Sequence, residues 1–125
     1  ADLPKKLAPG PNSIGFLVRH IGDVEMLFSK NVFGLKDVQV HAKTVIAKHD
    51  TGEWTDLADL KAYVAQSAAT LQRAIEATDD ADWDSVVETK EFGRKTKAEA
   101  LGRIITHTAY HAGQLAMVMK YGSPS

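Results

Sequence analysis

The chain is 125 residues long, 44% hydrophobic and 25% charged, with a formal net charge of -1 and no cysteine. That is the size of a single domain spanning residues 1 to 125 and able to bury its own core. The near-neutral balance argues against a nucleic-acid binder, which generally draws on a basic surplus, and the lack of cysteine excludes disulfides and a thiol nucleophile carried by the protein. No apolar run is long enough to span a membrane and no secretory leader pattern opens the sequence, so the expected setting is the cytoplasm, without a membrane partner.

Residues 1 to 12 hold Pro4, Pro9, Gly10 and Pro11, which deny the backbone a regular helix and make a Pro-rich lead-in. Ser13, or Asn12, then caps a helix expected to run to about Phe33, with Ile14, Leu17, Val18, Ile21, Val24 and Phe28 at helical spacing and Gly34 as its stop. His20 lies on it among Phe16, Leu17, Val24 and Leu27, all apolar, and should point inward. Arg19 and Asp23, four residues apart, read as a surface ion pair. From Leu35 to Glu53, Val38, Val40, Ala42, Thr44 and Ile46 alternate like a strand, but no clear hairpin turn follows. The segment is read as an extended or irregular connection, with His41 and His49 in solvent.

A second helix, capped by Thr55, carries Leu57, Leu60, Val64, Ala68, Leu71 and Ile75 on one stripe and fades in Thr78-Asp79-Asp80. Ala81 to Lys95 reads as a connection that drops Trp83, Val86, Val87 and Phe92 onto the core, and Trp54 and Trp83 read as core or lid aromatics. The third long helix opens on a capping box, Thr96-Lys97-Ala98-Glu99, and continues through Leu101, Ile104, Ile105, Thr108, Leu115, Val118 and Met119 to a stop at Gly122 before Pro124. Gly113 in its middle is unfavourable to helix by about 1 kcal/mol relative to alanine, which a close helix neighbour would justify.

Within that last helix His107 and His111 are four residues apart and share a face with Ala100, Ile104, Leu115 and Val118. Taken alone the pair is better read as core histidines, because a short motif arises readily by chance. Three amphipathic helices point to an all-α bundle, and bundles build metal sites from side chains on facing helices. His20 from the first helix with His107 and His111 from the last could then hold a divalent ion and leave one position open, the pattern of a catalytic site. Three imidazoles suit Zn, Ni, Co or Fe(II). His107-Thr108 lacks the glutamate of a zincin protease helix, which sets that class aside.

Ser13-Ile14-Gly15-Phe16-Leu17-Val18-Arg19-His20-Ile21-Gly22-Asp23-Val24-Glu25 resembles the histidine-bearing helix of the DinB-like (DinB/YfiT) superfamily, and His107-Thr108-Ala109-Tyr110-His111-Ala112-Gly113-Gln114-Leu115 resembles its C-terminal H-x-x-x-H-x-G-Q helix. Lys120-Tyr121-Gly122 is similar to that family's ending, so the likeness spans residues 13 to 122. It implies an up-down-down-up four-helix bundle, often a homodimer, with a three-histidine site for a divalent metal, zinc or nickel foremost. Glu25 matches an acidic position of the family's helix and is the candidate general base or supporting partner. Tyr110 and Gln114 neighbour the histidines.

Family members include thiol-dependent S-transferases and isomerases using bacillithiol, mycothiol or glutathione, beside proteins described as metal-dependent hydrolases. The expectation is therefore a metal-dependent enzyme of thiol S-transferase type acting on a small-molecule electrophile, its thiol a low-molecular-weight cosubstrate because the chain has no cysteine. The alternatives are a hydrolase using activated water and a non-enzymatic metal-binding stress-response bundle. One departure stands out: the family places a helix before the first histidine helix, and here only the lead-in precedes Ser13. The first helix is expected to be missing or supplied by another segment or subunit, unless residues 1 to 12 or 35 to 53 fold into its place.

Overall fold

In the computed structural model, which describes residues 2–7, 10–90 and 92–124, ten of the fourteen residues of α1 (Ile14–Leu27) are buried. A helix apolar on nearly all sides belongs in the middle of its domain. Pro9 of the lead-in and Glu91 of the later connection lie outside the described residues. The α1 cap is as expected, with the Ser13 hydroxyl accepting from the Phe16 amide at 3.2 Å. The helix continues into a π-helical turn, Phe28–Val32, and the chain turns away at Gly34, whose φ of +81° suits glycine. Two glycines on α1 allow close approach. A Cβ on Gly22 would lie 2.6 Å from the Tyr63 ring, and one on Gly15 would overlap the Trp54 carbonyl.

Two further long helices flank α1. In α3 (Leu57–Glu76), Leu60 meets Leu17 and Ala74 meets the level of Phe28, so α3 runs parallel to α1. In α4 (Lys97–Tyr121), Val118 meets Leu17 while Ala100 and Ile104 meet Val24 and Phe28, so α4 runs antiparallel. Both pack chiefly against α1. Asp56 rather than Thr55 caps α3, its carboxylate accepting from the Asp59 amide at 3.1 Å. The capping box of Thr96 and Glu99 opens α4 as read from the sequence.

Parallel successive helices need a connection that travels back along the bundle, and residues 35 to 56 make that crossover. It is irregular, as expected, apart from the five-residue helix α2 (Lys43–Ala47), which ends at Lys48 with φ +60°. The alternation around Val38 and Val40 does not become a strand. It instead buries Val38, Ala42 and Thr44 against the bundle. His41 and His49 are exposed, as read.

Residues 81 to 96 differ from the simple connection expected. β2 (Val86–Thr89) and β3 (Gly93–Thr96) pair as an antiparallel hairpin with Val86 opposite Thr96. Trp83 and Phe92 pack against the core, but Val86 is exposed, so it is not one of the anchors. The lead-in forms a two-residue strand, β1 (Lys5–Lys6), against β4 (Ser123–Pro124), and buries Leu3 beside Ile14 and Leu17.

The fold is thus predominantly helical, with three long helices among the described residues. Neither the lead-in nor the crossover supplies a long helix. No described helix is long and apolar enough to cross a membrane. Gly113, expected to meet a close helix neighbour, faces open space instead.

Candidate metal centre

The antiparallel pairing of α1 and α4 brings His20 opposite His107 and His111. Their ring centroids stand 5.0 Å, 4.8 Å and 4.4 Å apart for the pairs His20–His107, His20–His111 and His107–His111. One nitrogen from each ring lies within 4.8 Å of the others. The Nε2 atoms of His20 and His107 are 3.2 Å apart, which is close to the ligand–ligand edge of about 3.3 Å that a tetrahedral ion with bonds of about 2.0–2.1 Å requires.

Partners on the far side of two rings decide which nitrogen faces the cluster. Thr44, buried in α2, donates its only hydroxyl proton to Asp23 at 2.6 Å, so its oxygen accepts from His20 Nδ1 at 3.0 Å. The His20 Nε2 lone pair is thereby left free and aimed inward. On α4 the Gln114 side-chain carbonyl accepts from His111 Nδ1 at 2.6 Å and has the same effect. Tyr110, largely exposed, lies edge-on to His111, and its hydroxyl accepts from Gln114 at 3.4 Å. This support of ligating rings by outer hydrogen bonds fixes tautomer and orientation in metal sites.

His107 differs, since its buried Nδ1 has no hydrogen-bond partner among the described residues. If both Nε2 atoms keep their lone pairs, two acceptors face one another at 3.2 Å. If His107 Nε2 is protonated and donates to His20, its Nδ1 becomes a buried acceptor with no donor. A shared cation relieves the first arrangement, and the donor set of three imidazoles fits a divalent transition ion.

The electrostatics agree. Burial, then the neighbouring charge of His111, lowers the pKa of His20 against an opposing pull from Asp23. Burial first, then His111, His20 and Arg103, pushes His107 down to about 4. Both rings are therefore neutral at physiological pH, the form that ligates. Phe16, one turn before His20, stacks on its ring with centroids 5.7 Å apart and planes 9° from parallel, and buried Trp54 packs edge-on against Phe16.

Three of the site residues read from the sequence come together here, and Glu25 does not join them. It makes no hydrogen bond to the histidines and lines a groove on another side of α1. Asp23 requires a correction. Its pair with Arg19 is not at the surface, because Asp23 is 0% exposed and accepts from Arg19 Nε at 2.7 Å, Tyr63 hydroxyl at 2.5 Å, and the Thr44 amide and hydroxyl at 2.9 and 2.6 Å. Thr44 had no role in the sequence reading. The available signal was its place in the alternation of Val38, Val40, Ala42, Thr44 and Ile46, which put it in phase with the apolar positions.

No curated protein and no solved structure matches the chain. The family model described as the DinB superfamily matches residues 1–115, a stretch that includes all three histidines. On that match and a three-histidine cluster able to hold a metal ion, the chain belongs to the DinB superfamily.

Proposed function

We propose that the protein is a metal-dependent enzyme of thiol S-transferase type, in which His20, His107 and His111 hold a divalent ion and a low-molecular-weight thiol attacks a small electrophile. The observation that carries the reading is the convergence of three imidazoles, two of them locked by Thr44 and Gln114 with Nε2 inward. A divalent ion held by three protein ligands supplies a Lewis-acid position that lowers the pKa of a thiol or of water there. The chain's own residues do the rest. Thr44 and Asp23 hold the His20 ring in one tautomer, Gln114 holds His111, and Phe16, stacked on His20, keeps that flank of the site apolar. The absence of cysteine supports an external thiol as nucleophile. In the same reading, α1, α3 and α4 are the last three helices of an up-down-down-up bundle.

The test uses protein reconstituted with zinc or nickel, with metal content measured in the wild type and in His20→Ala and His107→Ala. Glutathione, bacillithiol and mycothiol are each offered with a panel of small electrophiles. Thiol-dependent consumption of electrophile that disappears with the metal, while helix content is kept, is the expected outcome. Turnover of ester or amide substrates without thiol would replace the transferase with a hydrolase. Metal-dependent thermal stability with no turnover in either panel would leave a non-enzymatic metal-binding bundle.

A further inference from the structure

A cavity of about 460 Å³ lies beside the metal centre, between the lead-in and α4. Leu7 and Pro11 of the lead-in and Leu17 of α1 line it, and Tyr110, Gly113 and Met117, spaced by three and four, turn one flank of α4 toward them. Its inner end reaches the histidines. Gln114, in the lining, accepts from His111 Nδ1 at 2.6 Å, and the Tyr110 ring centroid lies 5.2 Å from that of His111. A molecule seated here is one side chain away from the metal cluster.

Gly113 gives the cavity its room. Glycine is poorly suited to the middle of a helix, and the close helix neighbour that would justify it is absent, because a Cβ there would meet nothing within 4 Å. The open space is the cavity itself. A larger side chain at this position would favour the helix and fill the site.

The lining also chooses between the two substrates of a thiol transfer. Among the described residues it includes no lysine, arginine, histidine, aspartate or glutamate. Glutathione and bacillithiol carry carboxylates, which would be buried here without a partner. An uncharged apolar body meets no such penalty and gains from leaving water. The volume is within the range of small-molecule sites and about three times that of a cavity of about 150 Å³ that takes up benzene, so it admits more than one ring.

We infer that this cavity is the site of the electrophile, an uncharged aromatic molecule that lies on the bare backbone at Gly113 with its reacting end toward His111. The inference rests on the metal-dependent transferase reading and adds which of the two substrates the cavity takes.

The test labels the methionine methyls of the whole chain isotopically and follows them by nuclear magnetic resonance as meta-dinitrobenzene is added, with and without zinc. Met117 lines the cavity, whereas Met119, two residues on, lies about 200° round α4 and reports the other flank. A saturable shift of the Met117 methyl, with Met119 still, is the expected result. Gly113→Leu should weaken that binding about tenfold by filling the space, with helix content by circular dichroism kept or raised. Gly102→Leu, which also grows into open space but outside the cavity, should not weaken it. In zinc-loaded protein the glutathione sulfur replaces the chlorine of chlorodinitrobenzene, releasing chloride and a proton, and Gly113→Leu is expected to raise KM for that electrophile but not for glutathione. A silent Met117, or equal affinity in Gly113→Leu, overturns the inference even where turnover is found. Movement of Met117 by glutathione alone or by protein concentration alone overturns it as well, making a thiol or a second copy the occupant. A Met117 response without any turnover upholds the cavity as a site for uncharged aromatics and sinks the transferase reading instead.

Discussion

Asp23 and Glu25 stand two residues apart on the same helix, both buried, and their situations are opposite. Asp23 accepts four hydrogen bonds, from Arg19, Tyr63 and Thr44 twice, whereas the Glu25 carboxyl has no partner and its pKa rises to about 7. Two residues turn a helix by about 200°, so the two side chains leave α1 on different sides. Asp23 meets the crossover and α3, which bring donors to it. Glu25 meets two helices that keep apart. Depth of burial is nearly the same in both places, so what separates a structural charge from an unsatisfied one is the set of groups that the rest of the chain delivers.

The largest effect that would test this contrast is expected from Asp23→Ala. It strands the Arg19 guanidinium and three other donors, and should destabilise the fold by about 3–5 kcal/mol in chemical denaturation. A loss well under that range would mean the four hydrogen bonds matter little. Next comes Thr44→Val, which keeps the shape but removes the link between Asp23 and His20. Zinc affinity by calorimetry should fall about 10–100-fold with helix content unchanged. An unchanged affinity would detach the crossover from the metal centre.

Glu25→Leu should act in the other direction, raising stability at pH 8 by about 1–2 kcal/mol. The sign follows from a folded pKa of about 7 against 4.5 in the unfolded chain. Glu25 therefore weakens the wild type as pH rises from 4.5 through 7, and the gap between variant and wild type should close toward pH 4. His107 has the reverse slope, with a folded pKa of about 4 against 6.5. It costs both proteins stability as pH falls from 6.5 toward 4 and so drops out of the difference. The smallest change is expected from Arg73→Ala, because its pair with Asp37 at 3.0 Å is more than half exposed on each side. The thermal midpoint should fall by an amount corresponding to about 0–1 kcal/mol. A larger effect would show that exposed pairs here behave like the Asp23 network.

Much of this was legible in the residues. The capping box at Thr96 and Glu99, the stop at Gly122 and the shared face of His107 and His111 are local properties of one helix, and local spacing reports them directly. The inward turn of His20 followed from its apolar neighbours. What sequence could not give was the delivery of partners from a distance. Thr44 reaches His20 from 24 residues further along the chain, and the alternation in the crossover showed which residues could turn inward without saying which helix they would meet. Asp23 was misplaced because an arginine and an aspartate four residues apart look alike on a wet or a buried helix face. A clue was present in the two glycines of α1, which suit a helix crowded by neighbours on several sides. The β2–β3 hairpin escaped because its strands, Val86–Thr89 and Gly93–Thr96, carry charges among few apolar residues.

The bare backbone of Gly22 has a chemical consequence. Its lack of a side chain lets the Tyr63 ring rest where a Cβ would come within 2.6 Å of it. From there the Tyr63 hydroxyl donates to Asp23, Asp23 accepts from the Thr44 hydroxyl, and the Thr44 oxygen accepts a hydrogen bond from His20 Nδ1. Interhelical spacing at one residue is thus linked, through Tyr63, Asp23 and Thr44, to how the His20 ring is held two residues away. Drift in how α1 and α3 nest against each other would move the support behind His20, and with it the cluster's fitness to hold a metal ion, while all three histidines stayed the same.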